Sequence, residues 1–136
     1  MIVVDSSVWI DFLNEIPSPQ AILLDRLLGR PDLMVADLVR CEVLQGLRNA
    51  REAVLVAQKL DQFHHIEVGG RLLATAAAAN YRRLRALGII IRKTIDLLVG
   101  TWCIEHSASI LHRDRDYEPM CRHLGLLSLD VGPGPN

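Results

Sequence analysis

A chain of 136 residues accommodates one compact domain, and half of its residues are hydrophobic against 23% charged, which excludes a disordered linker or tail. No apolar run approaches the roughly 20 residues of a membrane-spanning helix, and a net charge of −1 does not mark a nucleic-acid binder by charge alone. Cys41, Cys103 and Cys121 are odd in number and widely spaced, which predicts buried, reduced thiols rather than disulfides or a zinc site. No basic stretch followed by a long apolar segment opens the chain, so no secretory leader and a cytoplasmic protein are expected.

Ile2, Val3 and Val4 form a β-branched run too short for a helix and apolar on both faces, as in a strand covered on both sides of a parallel sheet. Asp5 follows, then Ser6 and Ser7, both good helix N-cap residues, and then the apolar Val8, Trp9, Ile10, Phe12 and Leu13. A carboxylate where a strand hands over to a helix either caps the helix or faces a ligand at the carboxyl edge of the sheet; the pattern leaves both open. Pro17, Ser18 and Pro19 predict a turn, residues 21–28 a second helix closed by Gly29 and Pro31, and residues 33–36 a second strand. Asp37 is expected to cap a third helix whose apolar stripe is Leu38, Cys41, Leu44 and Leu47. Glu42 borders that stripe, where a carboxylate is solvated at the edge, paired with a cation or bound to a metal.

Residues 51–61 predict a helix and residues 64–68 a short strand. Gly69 and Gly70 break the chain before a long helix over residues 71–87. Its centre, residues 76–79, carries small side chains for close helix packing, and Arg82, Arg83 and Arg85 read as a solvated face. Residues 89–91 read as strand or loop. Thr94 is expected to cap the next helix, which puts Asp96 in its first turn, where the helix dipole favours an acid whatever its function. Residues 109–111 predict a strand running into His112, Arg113, Asp114, Arg115 and Asp116. Asp116 reads as the cap of a last helix, with Gly125 past its end, whereas Asp114 has no evident structural duty. Residues 126–129 are expected to close the sheet. Residues 1–130 then form a single domain, and residues 131–136 a flexible Gly/Pro tail.

Short strands alternating with helices predict an α/β fold, a three-layer α/β/α sandwich with a mostly parallel central sheet. In that frame Asp5, Glu42, Asp96 and Asp114 can converge at one end of the sheet. Carboxylates brought that close repel unless a cation neutralises them, and an oxygen-only set without clustered His or Cys suits magnesium, with manganese able to substitute. A hard cation so held can polarise a phosphate and activate water for phosphodiester hydrolysis.

Four stretches in this order, VVDSSVWIDFL, VRCEVLQGL, IRKTIDLLVGTWCIEH and SILHRDRDYEPM, make the chain resemble the PIN-domain family, and within it the VapC-type ribonuclease toxins of bacterial toxin–antitoxin pairs. The resemblance covers nearly the whole chain. It implies a magnesium-dependent endoribonuclease whose acidic site is Asp5, Glu42, Asp96 and Asp114, with Asp5 and Asp96 the firmest metal ligands. It implies Ser7 as support for Asp5, and Asp116 as a second acidic position acting through water. It also implies a homodimer and an antitoxin that occludes the acidic pocket. Tyr117 departs from a common Phe, a change expected not to affect the chemistry.

Thr94 is kept as a supporting residue, and Arg92, Lys93, Arg113 and Arg115 as candidates for the RNA backbone, with pairing to the carboxylates as the alternative. The cations are 13 Arg against only Lys59 and Lys93, which codon bias explains as well as phosphate binding does. His112 reads as structural, and His64 with His65 as too isolated for a metal site. Ser6 and Ser7 lack the surroundings of a nucleophile. A non-catalytic binding module on the same scaffold is the alternative, and aspartyl-phosphate chemistry at Asp5 a more distant one.

Overall fold

The computed structural model describes residues 1–132; most of the expected Gly/Pro tail, residues 133–136, lies outside the described residues. In chain order the elements are β1 (Ile2–Val4), α1 (Ser6–Leu13), α2 (Pro19–Leu27), β2 (Leu33–Ala36), α3 (Asp37–Gln45), α4 (Ala50–Leu60), β3 (His64–Ile66), α5 (Arg71–Ala86), α6 (Thr94–His106), β4 (Ser109–Leu111), α7 (Tyr117–Leu124) and β5 (Leu127–Ser128). The sheet has the order β3-β2-β1-β4-β5, with every described pairing parallel. Among the described residues no helix is long and apolar enough to cross a membrane.

Topology decides where a ligand can sit. From β1 the chain steps to β2 and β3 on one side, then crosses back past β1 to β4 and β5 on the other. Because parallel crossovers are right-handed, the two directions of travel put their helices on opposite faces. The helix contacts follow that division: α1 touches α2 and α3, α3 touches α4, and α5, α6 and α7 touch one another. The strand order therefore reverses at β1, and the crevice for a ligand opens outside the carboxyl ends of β1 and β4.

The core follows from strands covered on both faces. Val3, Val4, Val35 and Ile110 are wholly buried, and β1 is pinned between Leu33–Met34 of β2 and Ser109–Leu111 of β4. The ladder runs one residue past β1, where Asp5 N–H donates to the Leu111 carbonyl at 2.9 Å, so Asp5 leaves the sheet at a fixed height. Local signals set most helix ends. The Ser18 side chain accepts from Ala21 N–H with Pro19 at the first helical position, Asn49 accepts from Glu52 N–H, and Gly125 takes the left-handed conformation (φ +78°) that stops α7.

Three local expectations are corrected, and a fourth stretch, read as strand or loop, is loop. Val39 and Val43 are the fully buried residues of α3, while Leu38, Leu44 and Leu47 of the predicted stripe are partly buried against the core, because the helix meets it about one residue round from that stripe; Cys41 is exposed. Asp37 is not a cap but the first residue of α3, and its Oδ1 accepts from the N–H groups of Leu38 and Val68, tying α3 to the exit of β3. Thr94 is likewise the first residue of α6; Lys93 occupies the cap position without a side-chain bond, so Asp96 is the third helical residue. Residues 89–91 are loop, with Ile91 buried and Ile90 exposed.

Helices α6 and α7 approach closely at Gly100, where a Cβ would lie 2.6 Å from the Met120 sulfur and 2.9 Å from its methyl. That approach seats the start of α7 beside the start of α6. Met120 is wholly buried, so its side chain has little room to retreat. We expect Gly100→Val to lower stability by about 1–3 kcal/mol through overpacking, measured by urea denaturation.

Candidate metal centre

The crevice between β1 and β4 is lined with carboxylates delivered by separate elements. Asp5 leaves β1 at the carboxyl edge of the sheet and caps α1: its Oδ2 accepts from Ser7 N–H (3.1 Å) and from the Ser7 hydroxyl (2.6 Å). It is 1% exposed. Asp96 enters from the first turn of α6 and is 2% exposed. Glu42 enters from α3, half-buried, on the opposite helical face. Each of Asp5, Glu42 and Asp96 offers an oxygen within 4.8 Å of the others. Asp96, Asp114 and Asp116 form a second such group, so Asp96 belongs to both, while Asp114 does not join Asp5 and Glu42 in the first.

Asp114 has a structural duty after all. Its Oδ1 accepts from Asp116 N–H (3.0 Å), turning the loop after β4, and its Oδ2 takes the Lys93 ammonium (2.8 Å). Asp116 stands before α7, but its side chain makes no capping bond. Ser7 supports Asp5 and also accepts from Arg113 N–H (3.2 Å), linking the β1 and β4 exits. Thr94 is exposed and gives no cap.

The four candidate cations separate. Lys93 is paired with Asp114. Arg113 is held by Asp11 of α1: Nη2 donates to Oδ1 (3.0 Å) and Nε lies 2.7 Å from Oδ2. Asp11 is buried, so this pair clips the β4 exit onto α1. Arg92 and Arg115 are exposed, and among the described residues neither is held by an ion pair or a side-chain hydrogen bond. His112 is built into the scaffold: Nδ1 accepts from Asp114 N–H (3.2 Å), Nε2 lies 3.3 Å from the Ser128 hydroxyl, and burial lowers its pKa. His65 is engaged with Arg40 and the Phe63 carbonyl, and His64 is exposed.

The reach of Tyr117 to the carboxylates and the part played by Asp11 were missed in the sequence. The Tyr117 hydroxyl donates to Asp5 Oδ1 at 2.7 Å and lies 3.5 Å from Asp96 Oδ1, so the exchange from Phe does reach the carboxylates. Burial, together with the charges of Asp5 and Asp96, pushes its own pKa well up and keeps it a neutral donor. The signal for Tyr117 was its place next to Asp116 at the crevice. Asp11 gave none, because its partner lies 102 positions away.

Charge crowding has a measurable signature. In the metal-free protein Asp96 is pushed up to about 8, first by burial, then by the charge of Asp5 and by Asp114. Burial also raises Glu42, with Asp5 and Asp114 adding repulsion. Burial opposes the charge on Asp114 too, but Lys93, the Asp116 N–H and Asp96 outweigh it and lower its pKa. Asp96 Oδ2 and Glu42 Oε1 are buried without hydrogen-bond partners. Buried, unpartnered carboxyl oxygens are hard donors that fit a divalent cation such as magnesium or manganese.

The PIN-domain family matches residues 2–122. The chain belongs to the PIN-domain family. Among its relatives, ribonuclease VapC11 of Mycobacterium tuberculosis is 27% identical over 124 residues, covering 90% of this chain and 92% of that protein. The fold of this PIN domain resembles VapBC-1 from nontypeable Haemophilus influenzae (TM-score 0.72, 16% identity, covering 98% of this chain and 100% of that one). It also resembles a toxin–antitoxin complex from Klebsiella pneumoniae (TM-score 0.70, 14% identity, covering 94% and 97%).

Folding raises the Asp96 pKa, so its contribution stabilises the metal-free PIN domain at low pH and is lost as pH rises from about 4 through about 8. We expect the melting temperature in chelator to fall between about pH 5.5 and pH 8, and Asp96→Asn to flatten that fall. A divalent cation must displace the Asp96 proton, so its apparent affinity is expected to rise by up to about tenfold per pH unit over the same range. Thermal melts across pH, with and without manganese, check both.

Proposed function

We propose that this PIN domain is a divalent-metal-dependent endoribonuclease and acts as the toxin of a toxin–antitoxin pair. The observation that carries the reading is the pair of buried, unpartnered oxygens, Asp96 Oδ2 and Glu42 Oε1, gathered with Asp5 at the carboxyl edge of the sheet. Similarity to a ribonuclease over nine-tenths of the chain supports RNA as the substrate.

In this reading Asp5, Asp96, Glu42 and Asp114 hold magnesium, with manganese able to substitute. The bound cation would supply Lewis acidity toward a phosphate oxygen and a lowered pKa for water. The chain's own groups do the rest. Ser7 holds the Asp5 carboxylate in a single orientation. Asp96 releases its proton when the site loads. Glu42, half-buried with a free oxygen, orients the attacking water. Lys93 keeps Asp114 ionised, and Asp116 acts at one remove through water. The exposed Arg92 and Arg115 meet the RNA backbone.

The antitoxin would close the acidic crevice with a basic side chain. A half-open apolar groove of about 350 Å³ beside α1 and α4, lined by Trp9, Phe12, Leu28, Val56 and Phe63, supports a protein partner on the same molecule. Two copies would pair as a homodimer.

The deciding experiment is cleavage of total RNA by purified protein in magnesium, in manganese and in chelator, beside Asp96→Asn. We expect metal-dependent cutting that the variant lowers about a hundredfold or more, near 3 kcal/mol of lost barrier reduction. Absence of cutting by antitoxin-free protein in either metal would move the reading to a non-catalytic binding module.

Arg92→Ala is expected to weaken RNA binding and to reduce its salt dependence by about one phosphate contact, leaving stability unchanged. Arg113→Ala is expected to lower stability by about 1–3 kcal/mol, because it strands the buried Asp11. RNA binding at several salt concentrations and thermal melts separate the two.

A further inference from the structure

Tyr117 opens α7 and is wholly buried. A phenylalanine would fill nearly the same volume, so packing does not require the hydroxyl. What the oxygen adds is a donor to Asp5. A carboxylate has about four acceptor positions, two on each oxygen. On Asp5, Oδ2 has both of its positions used by the Ser7 N–H and hydroxyl. Oδ1 has one used by Tyr117 at 2.7 Å. One position remains.

The donors also come from opposite sides. Ser7 belongs to α1, on one face of the sheet, whereas Tyr117 belongs to α7, on the other. Held from both sides, the carboxylate can neither rotate about its own bond nor present both oxygens at once.

We propose that Tyr117 is a positioning residue for the metal centre: its hydroxyl, with Ser7, makes Asp5 a one-oxygen ligand that offers a cation the last free position on Oδ1. This rests on the metal-binding reading given above and deepens it. Without the phenol, Asp5 gains a second free position and a second orientation, and the order imposed before binding is lost. Removal of a hydrogen bond that orients a ligand weakens metal binding by about ten- to a hundredfold. Ser7 still donates twice to that carboxylate, so what the variant loses is the fixed orientation of Oδ1.

The test is manganese binding by isothermal titration calorimetry to wild type and to Tyr117→Phe. Cleavage by both is measured over a range of manganese concentrations. We expect the variant to bind about tenfold more weakly, and its cleavage rate to return to the wild-type value at saturating manganese. Equal or tighter binding by a variant that folds overturns the proposal and leaves the metal-site reading standing. Failure of the wild-type protein to bind manganese overturns that reading and this proposal together.

A second measurement needs no variant. The chain has 2 tyrosines, so ring-labelled protein gives one resonance for Tyr117 and one for Tyr81 on α5 as an internal reference. Titration with magnesium is expected to shift the Tyr117 Cζ resonance in step with binding and to leave Tyr81 in place. A Tyr117 resonance that stays still through saturation overturns the proposal.

Discussion

Negative charge gathered where it cannot be hydrated is the constraint on which this molecule turns. Asp5 and Asp96 are almost fully buried, Glu42 is half-buried beside them, and no cationic side chain is paired with any of the three among the described residues. A fold selected for stability alone would fill that crevice with apolar side chains, as buried charges left unpaired are costly. The protein instead spends polar scaffolding on it. Ser7 and Tyr117 hold Asp5, and the Arg113–Asp11 pair fastens the neighbouring strand exit. Among the described residues the ion pair at the rim is Lys93 with Asp114, the carboxylate whose pKa is lowered rather than raised. Crowding of this kind fits a cation, and burial with the neighbouring Asp5 and Asp114 raises the Asp96 pKa to about 8.

The reversal of strand order at β1 makes such crowding possible. The acids arrive on a strand end, on helices from both layers and on a loop, so each is anchored by a different part of the core. Their approach is set by sheet spacing and helix packing rather than by side-chain reach. Gly100 shows how far that goes. A missing side chain in the middle of α6 lets α7 settle against it, and the settling carries Tyr117 to within reach of both Asp5 and Asp96.

Much of the fold was legible because parallel α/β architecture writes itself locally: apolar runs covered on both faces, alternating with capped helices. The strands at residues 33–36 and 109–111 were placed to the residue, and the sheet proved wholly rather than mostly parallel. Nearness of the carboxylates was legible too, since a residue following a strand must lie at the carboxyl edge. Errors came where one turn of helix was at stake. Thr94 and Asp37 have the chemistry of caps, yet each stands inside its helix, and the buried face of α3 was displaced by one residue because each leucine of the expected stripe within it has a valine beside it, Leu38 next to Val39 and Leu44 next to Val43. What no local pattern could carry was pairing across the chain. Arg113 read as either a phosphate contact or a partner of the neighbouring carboxylates, and the acid that holds it is Asp11, buried on a distant helix.

The Tyr117 hydroxyl carries the same point into the chemistry. From the sequence it was one oxygen added to a common aromatic, apparently neutral because an aromatic at the start of α7 has only to fill space. The consequence depends on what the oxygen meets, and it meets the one acid already held by two donors. Had Ser7 been an apolar residue, the phenol would have been a single weak restraint. With Ser7 in place, it closes the third of about four acceptor positions and leaves the carboxylate a single free one. A conservative change at a packing position thus becomes a change in how the Asp5 carboxylate is presented to the crevice, and its effect is set by the serine two residues after that carboxylate rather than by the tyrosine alone.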